Sequence, residues 1–358
     1  MGFSPSAQLD TSTLNNWLTE KVEPIFRKSV FMGGLKAHGR ISYKNSGKTL
    51  IWHPRVKRHK ISAADAYNVA IAFPAFPRKI KAELEWVSYN LGEKLTKFDR
   101  LANAGGKVQL ANLFGDMLTV MSEDFTDDLA EKAYSNGGAA GSLELMGMES
   151  MFAINGLIAN SFLGDPNDTY AGHDTDLGAI GGDWTGTYPD GAGDAEYCAW
   201  SPFVFDINNS LYGGTTNTWA DCWQQILNRV QAYMGRLQRF KPDIFLCDTD
   251  LLVQAGDSLL DKERFIATPS SKLVSSGFKT LMFNNLEVAD EYACTPGAGY
   301  AFRWEDIELR SMQSQLVGYD NDHVIESSED LKAIDFYGQM KFQTPARFAK
   351  VVGIAGGS

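Results

Sequence analysis

The sequence has 358 residues, 44% of them apolar and 22% charged, enough chain for roughly two or three units that each bury a core. No apolar run reaches the roughly 18 residues that a membrane helix needs, and Met1 to Ser6 lack the basic and apolar regions of a signal peptide. The net charge of −11 is unevenly spread: residues 1–107 hold 18 Lys/Arg against 8 Asp/Glu, and the remainder holds 15 against 36. Such an asymmetry points to pairing with nucleic acid or with the acidic half of another copy.

Gly2 followed by Ser6 matches a myristoylation pattern, but so short a match arises by chance and is set aside. The four cysteines, Cys198, Cys222, Cys247 and Cys294, show no C-x-x-C spacing, which fits a reducing cytosol and not a disulfide framework. Cys222 and Cys247 sit in apolar patterns and are expected to be buried free thiols.

In chain order, Leu14, Trp17, Leu18, Val22, Ile25 and Phe26 recur at helical spacing and predict a helix over 11–28, bent or ended by Pro24. Ile41 to Trp52 reads as a hairpin turning at Asn45-Ser46-Gly47. A basic run follows (Arg55, Lys57, Arg58, His59, Lys60), and then an alternating stretch from Lys79 to Tyr89 reads as one two-faced strand. Long strands joined by a polar, basic tip make a poor core and look like an arm. Residues 40–90 are therefore expected to be mobile in the isolated chain.

After Gly105-Gly106, the apolar positions Leu110, Leu113, Phe114, Met117, Leu118, Met121, Phe125 and Leu129 predict a long amphipathic helix through Tyr134. Its polar face is acidic, with Asp116, Glu123, Asp124, Asp127, Asp128 and Glu131, and Asn136-Gly137-Gly138 stops it. Residues 164–217 are rich in Gly, Asp, Thr and Asn and read as loops with short strands. A second helix is predicted over 218–240 on Trp219, Trp223, Ile226, Leu227, Val230, Tyr233, Met234 and Leu237. Pro242 closes that helix, and Asp243 to Cys247 reads as a buried strand. Further strand patterns lie at 279–290, 299–311, 331–343 and 346–354.

No catalytic constellation emerges. Gly47-Lys48-Thr49 ends like a phosphate-binding loop, but position 42 is Ser where that loop needs Gly, and a strand pattern follows where it needs a helix. Asp165, Asn167, Asp168, Asp174, Asp176 and Asp183 form an acidic, glycine-rich cluster, yet neither Asp165 nor Asp174 begins a calcium-loop pattern, and Asx-turns account for them. The five histidines are scattered, and Ser142 does not complete a nucleophile elbow.

Several segments occur in a telling order: Ala75 to Tyr89, Gly105-Gly106-Lys107 leading into Leu110 to Phe114, Ala133 to Gly137, and Glu144 to Phe152. They continue with Phe240 to Asp250, Asn285 to Asp290, Gly299 to Trp304, Ala333 to Phe342, and Thr344-Pro345 before Phe348 to Val352. This order resembles that of the tailed-bacteriophage major capsid proteins of the Hong Kong 97-type fold, over residues 36–354. The resemblance implies an α+β chain with an N-terminal arm (1–35), an extended E-loop hairpin (36–95), a peripheral domain with a long spine helix (96–148 and 303–345) and an axial domain (149–302 and 346–358). A chain starting its arm at Met1 is expected to use a separate scaffolding protein.

The implied function is a shell of hexamers and pentamers enclosing double-stranded DNA in a virion, assembled in the host bacterial cytoplasm. Its expected partners are further copies of itself, portal and scaffolding proteins and cement or decoration proteins, with the DNA met indirectly and no membrane. No enzyme activity, cofactor or metal is expected. Arg55, Lys57, Arg58, Lys79 and Lys81 are expected to oppose carboxylates of adjacent copies, among them Asp116, Glu123, Asp124 and Asp127 of the spine helix. The competing readings are an encapsulin-type compartment shell and an unrelated soluble enzyme using the acidic loops.

Overall fold

The computed structural model describes residues 29–56, 79–96, 98, 107–138, 143–158, 163–177, 179–180, 200–208, 218–237, 241–260, 280–324 and 329–353. The helix expected over 11–28, most of the basic tip, Cys198, Ser142 and Asp183 lie outside them.

The first described element had no sequence prediction. Helix α1 (Val30–Ala37) starts at Ser29, whose side chain accepts from the Met32 amide, and it buries Val30, Phe31, Met32 and Leu35. So apolar a helix stands only inside a core. Aromatic rings receive it: Phe31 lies against Tyr134, Phe302 and Trp304.

Strands β1 (Ile41–Ser42) and β2 (Thr49–Trp52) do not form the hairpin that the sequence suggests. β1 runs parallel to β14 (Ile307–Ser311), while β2 pairs antiparallel with β3 (Ala82–Glu85). The turn between them is drawn away from a hairpin because Asn45 Nδ2 donates to the Ser42 carbonyl (3.0 Å) and to the Ser311 carbonyl (2.9 Å). The alternating stretch 79–89 is likewise two strands and not one. β3 ends before Trp86, and β4 (Val87–Thr96) then joins a different sheet. The alternation itself holds in β3: Ala82 and Leu84 are buried, whereas Glu85 is exposed.

β4 lies along one edge of β16 (Glu329–Phe342), pairing with residues 329–338. The other edge of β16 is shared by β15 (Gly318–Val324) and β14 in succession, completing a five-stranded sheet. β15 carries Asp320, Asn321, Asp322 and His323, so no apolar alternation announces it. Helix α2 (Lys107–Lys132) packs near β4 and β16 through Met117, Met121, Phe125 and Leu129, all buried at a spacing of four. Glu123, Asp124, Asp128 and Glu131 are exposed on its other side, as the sequence pattern requires.

The second sheet has six strands in the order β11 (Thr280–Phe283), β12 (Leu286–Asp290), β10 (Ile244–Cys247), β13 (Gly299–Phe302), β17 (Ala349–Val352), β9 (Phe203–Asp206). All four residues of β10 and all four of β13 are buried, because both faces of these central strands are covered. On one face Phe245 and Cys247 pack with helix α3 (Trp219–Leu237), through Trp219, Trp223, Ile226, Leu227, Val230 and Met234, and with Leu251 and Ala255 of helix α4 (Thr249–Leu260). On the other, Ile244, Leu246, Tyr300 and Phe302 join the large core that also holds α1, α2 and the five-stranded sheet. α4 was not anticipated: among its described side chains only Leu251 and Ala255 are fully buried, and Val253 is exposed. Cys222, Cys247 and Cys294 are buried free thiols.

Candidate assembly surfaces

The base of the expected arm is anchored, not free. Leu50, Trp52, Ala82 and Leu84 belong to the main core, and Trp52 Nε1 donates to the Gln343 carbonyl at 3.1 Å. A tight turn at Ala171-Gly172, both with positive φ, joins β7 (Thr169–Tyr170) to β8 (His173–Asp174). That turn straps β3 down: the Glu83 amide donates to the Ala171 carbonyl (3.2 Å), and His173 Nε2 bonds the Lys81 carbonyl (2.7 Å).

Of the expected basic residues, Arg55 and Lys79 are exposed and face each other across an isolated antiparallel bridge, which puts them at the root of the arm. Lys57 and Arg58 lie outside the described residues. Lys81 is exposed and pairs within its own chain, its Nζ lying 2.5 Å from Glu83. The Lys81 hydrogen bond, with a second from Thr49 Oγ1, holds the Glu83 carboxyl below its ordinary range.

Among the acidic residues, Asp116 lies on α2, Glu123 and Asp124 are exposed, and Asp127 is half-buried and accepts from the Tyr292 hydroxyl at 3.2 Å. Tyr292 is itself 47% exposed, so an aromatic ring sits beside these carboxylates. The sequence pattern of α2 gave no sign of it, because Tyr292 comes from a distant turn. Across the neighbouring sheet, Glu308 is bridged by Arg310 (2.9 Å) and Lys341 (3.3 Å). Burial pulls Glu308 upward, but these two cations hold it below its ordinary range.

Two carboxylates of the calcium-like cluster bind groups of their own loops. Asp168 accepts from the amides of Thr169 (2.8 Å) and Ala153 (3.2 Å), and Asp174 accepts from Thr169 Oγ1 (3.1 Å). Among the described residues no three His, Cys, Asp or Glu side chains converge as a metal site would require. Thr49, the end of the phosphate-loop-like triplet, opens a strand and binds Glu83.

A cavity of about 550 Å³ lies where α1, β10, the β13–β14 junction and the β16–β17 junction meet. His38, Arg40, Asp243, Trp304, Glu305, Asp306, Gln343 and Arg347 line it, so among the described residues it carries no Ser, Cys or Lys nucleophile. Its charged groups bind one another, the backbone or Arg303: Arg347 lies 2.6 Å from Asp306, Arg40 Nε donates to the Trp304 carbonyl at 2.9 Å, and Arg303 pairs with Asp243 (3.5 Å) and Glu305 (2.7 Å). Two further polar clusters escaped the sequence reading because their members are remote in the chain. Glu149 takes Lys350 (2.6 Å), Thr295 (3.2 Å) and the Tyr300 hydroxyl, and Glu291 takes Ser29 and the Phe31 amide.

No family model matches the chain, and no curated protein does. Solved structures do. The chain is similar to a subunit of the cyanophage A-1(L) capsid at 14% identity and a TM-score of 0.54, covering 91% of this chain and 93% of that one. It is also similar to a capsid subunit of a native GTA particle at 11% identity and a TM-score of 0.52, covering 89% of each. An encapsulin from Synechococcus elongatus matches at 8% identity and a lower TM-score of 0.45. The chain therefore has the α+β fold of Hong Kong 97-type capsid subunits over nearly its whole length. No helix among the described residues is long and apolar enough to cross a membrane.

Proposed function

We propose that the chain is the major capsid protein of a tailed bacteriophage, assembling as hexamers and pentamers into an icosahedral head around double-stranded DNA. The observation that carries this reading is near end-to-end likeness to two capsid subunits, with coverage of about nine-tenths in both directions. Residues 96–148 and 303–345 are assigned to a peripheral domain and 149–302 with 346–358 to an axial one, which is consistent with one five-stranded and one six-stranded sheet. Assembly would take place in the host cytoplasm, with portal, scaffolding and decoration proteins as further partners. Negative-stain imaging of the purified chain, with its scaffolding partner supplied, is expected to show closed shells. A chain that stays monomeric or dimeric at high concentration refutes the proposal, and shells filled with an enzyme cargo in place of DNA identify an encapsulin.

Within that shell, Arg55, Lys57, Arg58, Lys79 and Lys81 are assigned to pairing with carboxylates of adjacent copies, Asp116, Glu123, Asp124 and Asp127 among them. The opposed charge of the two parts of the chain, and the outward carboxylates of α2, support this pairing. Each exposed pair contributes only about 0.2–1 kcal/mol, but a shell repeats every pair many times. Reversing Lys57→Glu with Arg58→Glu is expected to lower the yield of empty shells and change their salt sensitivity. Normal empty shells with only DNA-filled ones weakened would place these residues against nucleic acid.

A further inference from the structure

Glu291 is 1% exposed, and its carboxyl joins two parts of the chain that are 262 residues apart. Oε2 accepts from Ser29 Oγ at 2.9 Å and from the Phe31 amide at 2.6 Å, so a side chain following β12 completes the N-terminal cap of α1. The other oxygen, Oε1, is buried without a hydrogen-bond partner, and so is the Tyr134 hydroxyl, which lies within electrostatic reach of it. A buried carboxylate oxygen with no partner is costly when the group is ionised and much less so when it carries a proton.

The surroundings favour that proton. Facing Glu291 are Tyr134 from the turn after α2, Tyr292 and Cys294 from its own loop, and Asp290 from β12. Cys247 of β10 and Asp248, which precedes α4, act electrostatically on Cys294. α1 brings no acidic residue in its first turn, and its Lys36 is exposed in the last turn. Every one of these titratable groups except Lys36 is neutral or negative. Among the described residues, an ionised Glu291 has only the Ser29 hydroxyl and the Phe31 and Ala293 amides to offset its lost hydration.

We propose that Glu291 is a proton-operated latch: its neutral carboxyl holds α1, the point where residues 1–28 join the body, onto the six-stranded sheet, and its ionisation frees α1. The inference does not rest on the shell reading. Burial is the main cause that raises the carboxyl from its ordinary 4.5 to about 7, outweighing the Phe31, Ser29 and Ala293 hydrogen bonds that act downward. Because the docked pKa is the higher one, the closed state has its full advantage below about 4.5 and loses it as pH rises to about 7. Above that the effect levels off, since both states are then ionised.

The test is hydrogen exchange of the α1 amides in the full-length soluble chain between about pH 5.5 and about pH 8.5, corrected for intrinsic rates and referred to β10. The expected result is a fall in α1 protection of about 30-fold that flattens above neutrality, following from the two pKa values by linkage. Glu291→Gln mimics the neutral acid, since its amide oxygen still accepts from Ser29 and the Phe31 amide without carrying a charge, and it is expected to keep α1 protected throughout. A flat wild-type profile, or a Gln variant that repeats the wild-type profile, overturns the latch. If the variant fails to fold, the wild-type profile decides alone.

Discussion

Replacing Gly147 by alanine is expected to destabilise the subunit by about 3 kcal/mol or more, at the upper end of what overpacking a core costs. A Cβ at this position would lie 2.6 Å from both the nitrogen and the oxygen of Ser135 and 2.7 Å from the Ala133 oxygen, all of them backbone atoms. Backbone there has nowhere to go. The Met148 amide donates to the Ala133 carbonyl at 2.8 Å, Ser135 Oγ donates to the Leu145 carbonyl at 3.1 Å, and Asn136 bridges Met146. Gly137 makes the reciprocal approach, where a Cβ would strike the Leu145 carbonyl. The segment leaving α2 and the segment entering the next unit thus touch main chain to main chain, which only glycine permits. Gly256→Ala is the control, because it sits in α4 with nothing within 4 Å of its Cβ position. That change is expected to be neutral or to stabilise by up to about 1 kcal/mol, as helix propensity dictates. Urea unfolding of the soluble chain reads both, and equal midpoints for the two variants would contradict the steric account.

Phe31→Ala is expected to cost about 3–5 kcal/mol, the range for a fully buried aromatic side chain. The Phe31 ring is 0% exposed, and its centroid lies 5.7 Å from Tyr134, 6.1 Å from Phe302 and 6.3 Å from Trp304. Removing it empties the junction of α1, the turn after α2 and the six-stranded sheet at once. Neighbouring side chains cannot collapse into the gap, because Trp304 is already stacked on His38 at 5.1 Å and edge-on to Phe302 at 5.2 Å. Ile51→Ala on β2, where the side chain is 43% exposed, is expected to cost less than about 1 kcal/mol. Tryptophan fluorescence against urea distinguishes the two. A comparable loss at both positions would mean that α1 is not part of the cooperative core.

Periodicity within a segment marks its element better than its partner. Residues 41–52 and 79–89 have the alternation of strands, and strands are what they form. What the alternation does not carry is the pairing: β1 lies beside β14, and β3 and β4, one residue apart, enter different sheets. Similarly, the carboxylates of α2 could be placed on its outer face from their spacing, yet the Tyr292 hydroxyl on Asp127 could not be foreseen.

Sequence alone determined the amphipathic helices α2 and α3, the buried strand Ile244–Cys247, the thiol state of Cys222 and Cys247, and, through the order of segments, the fold. Each depends on a period or composition within one stretch of chain, and a buried face leaves that mark wherever its partner lies. Tertiary structure alone decided the pairing of β1 with β14, the strap from Ala171 and His173 onto β3, the contact of Gly147 with Ser135, and the capping of α1 by Glu291. Those contacts join backbone groups or single polar atoms from segments remote in sequence. A hydrogen bond to a main-chain amide requires no particular side-chain pattern at the amide, so nothing local records which distant residue will make it.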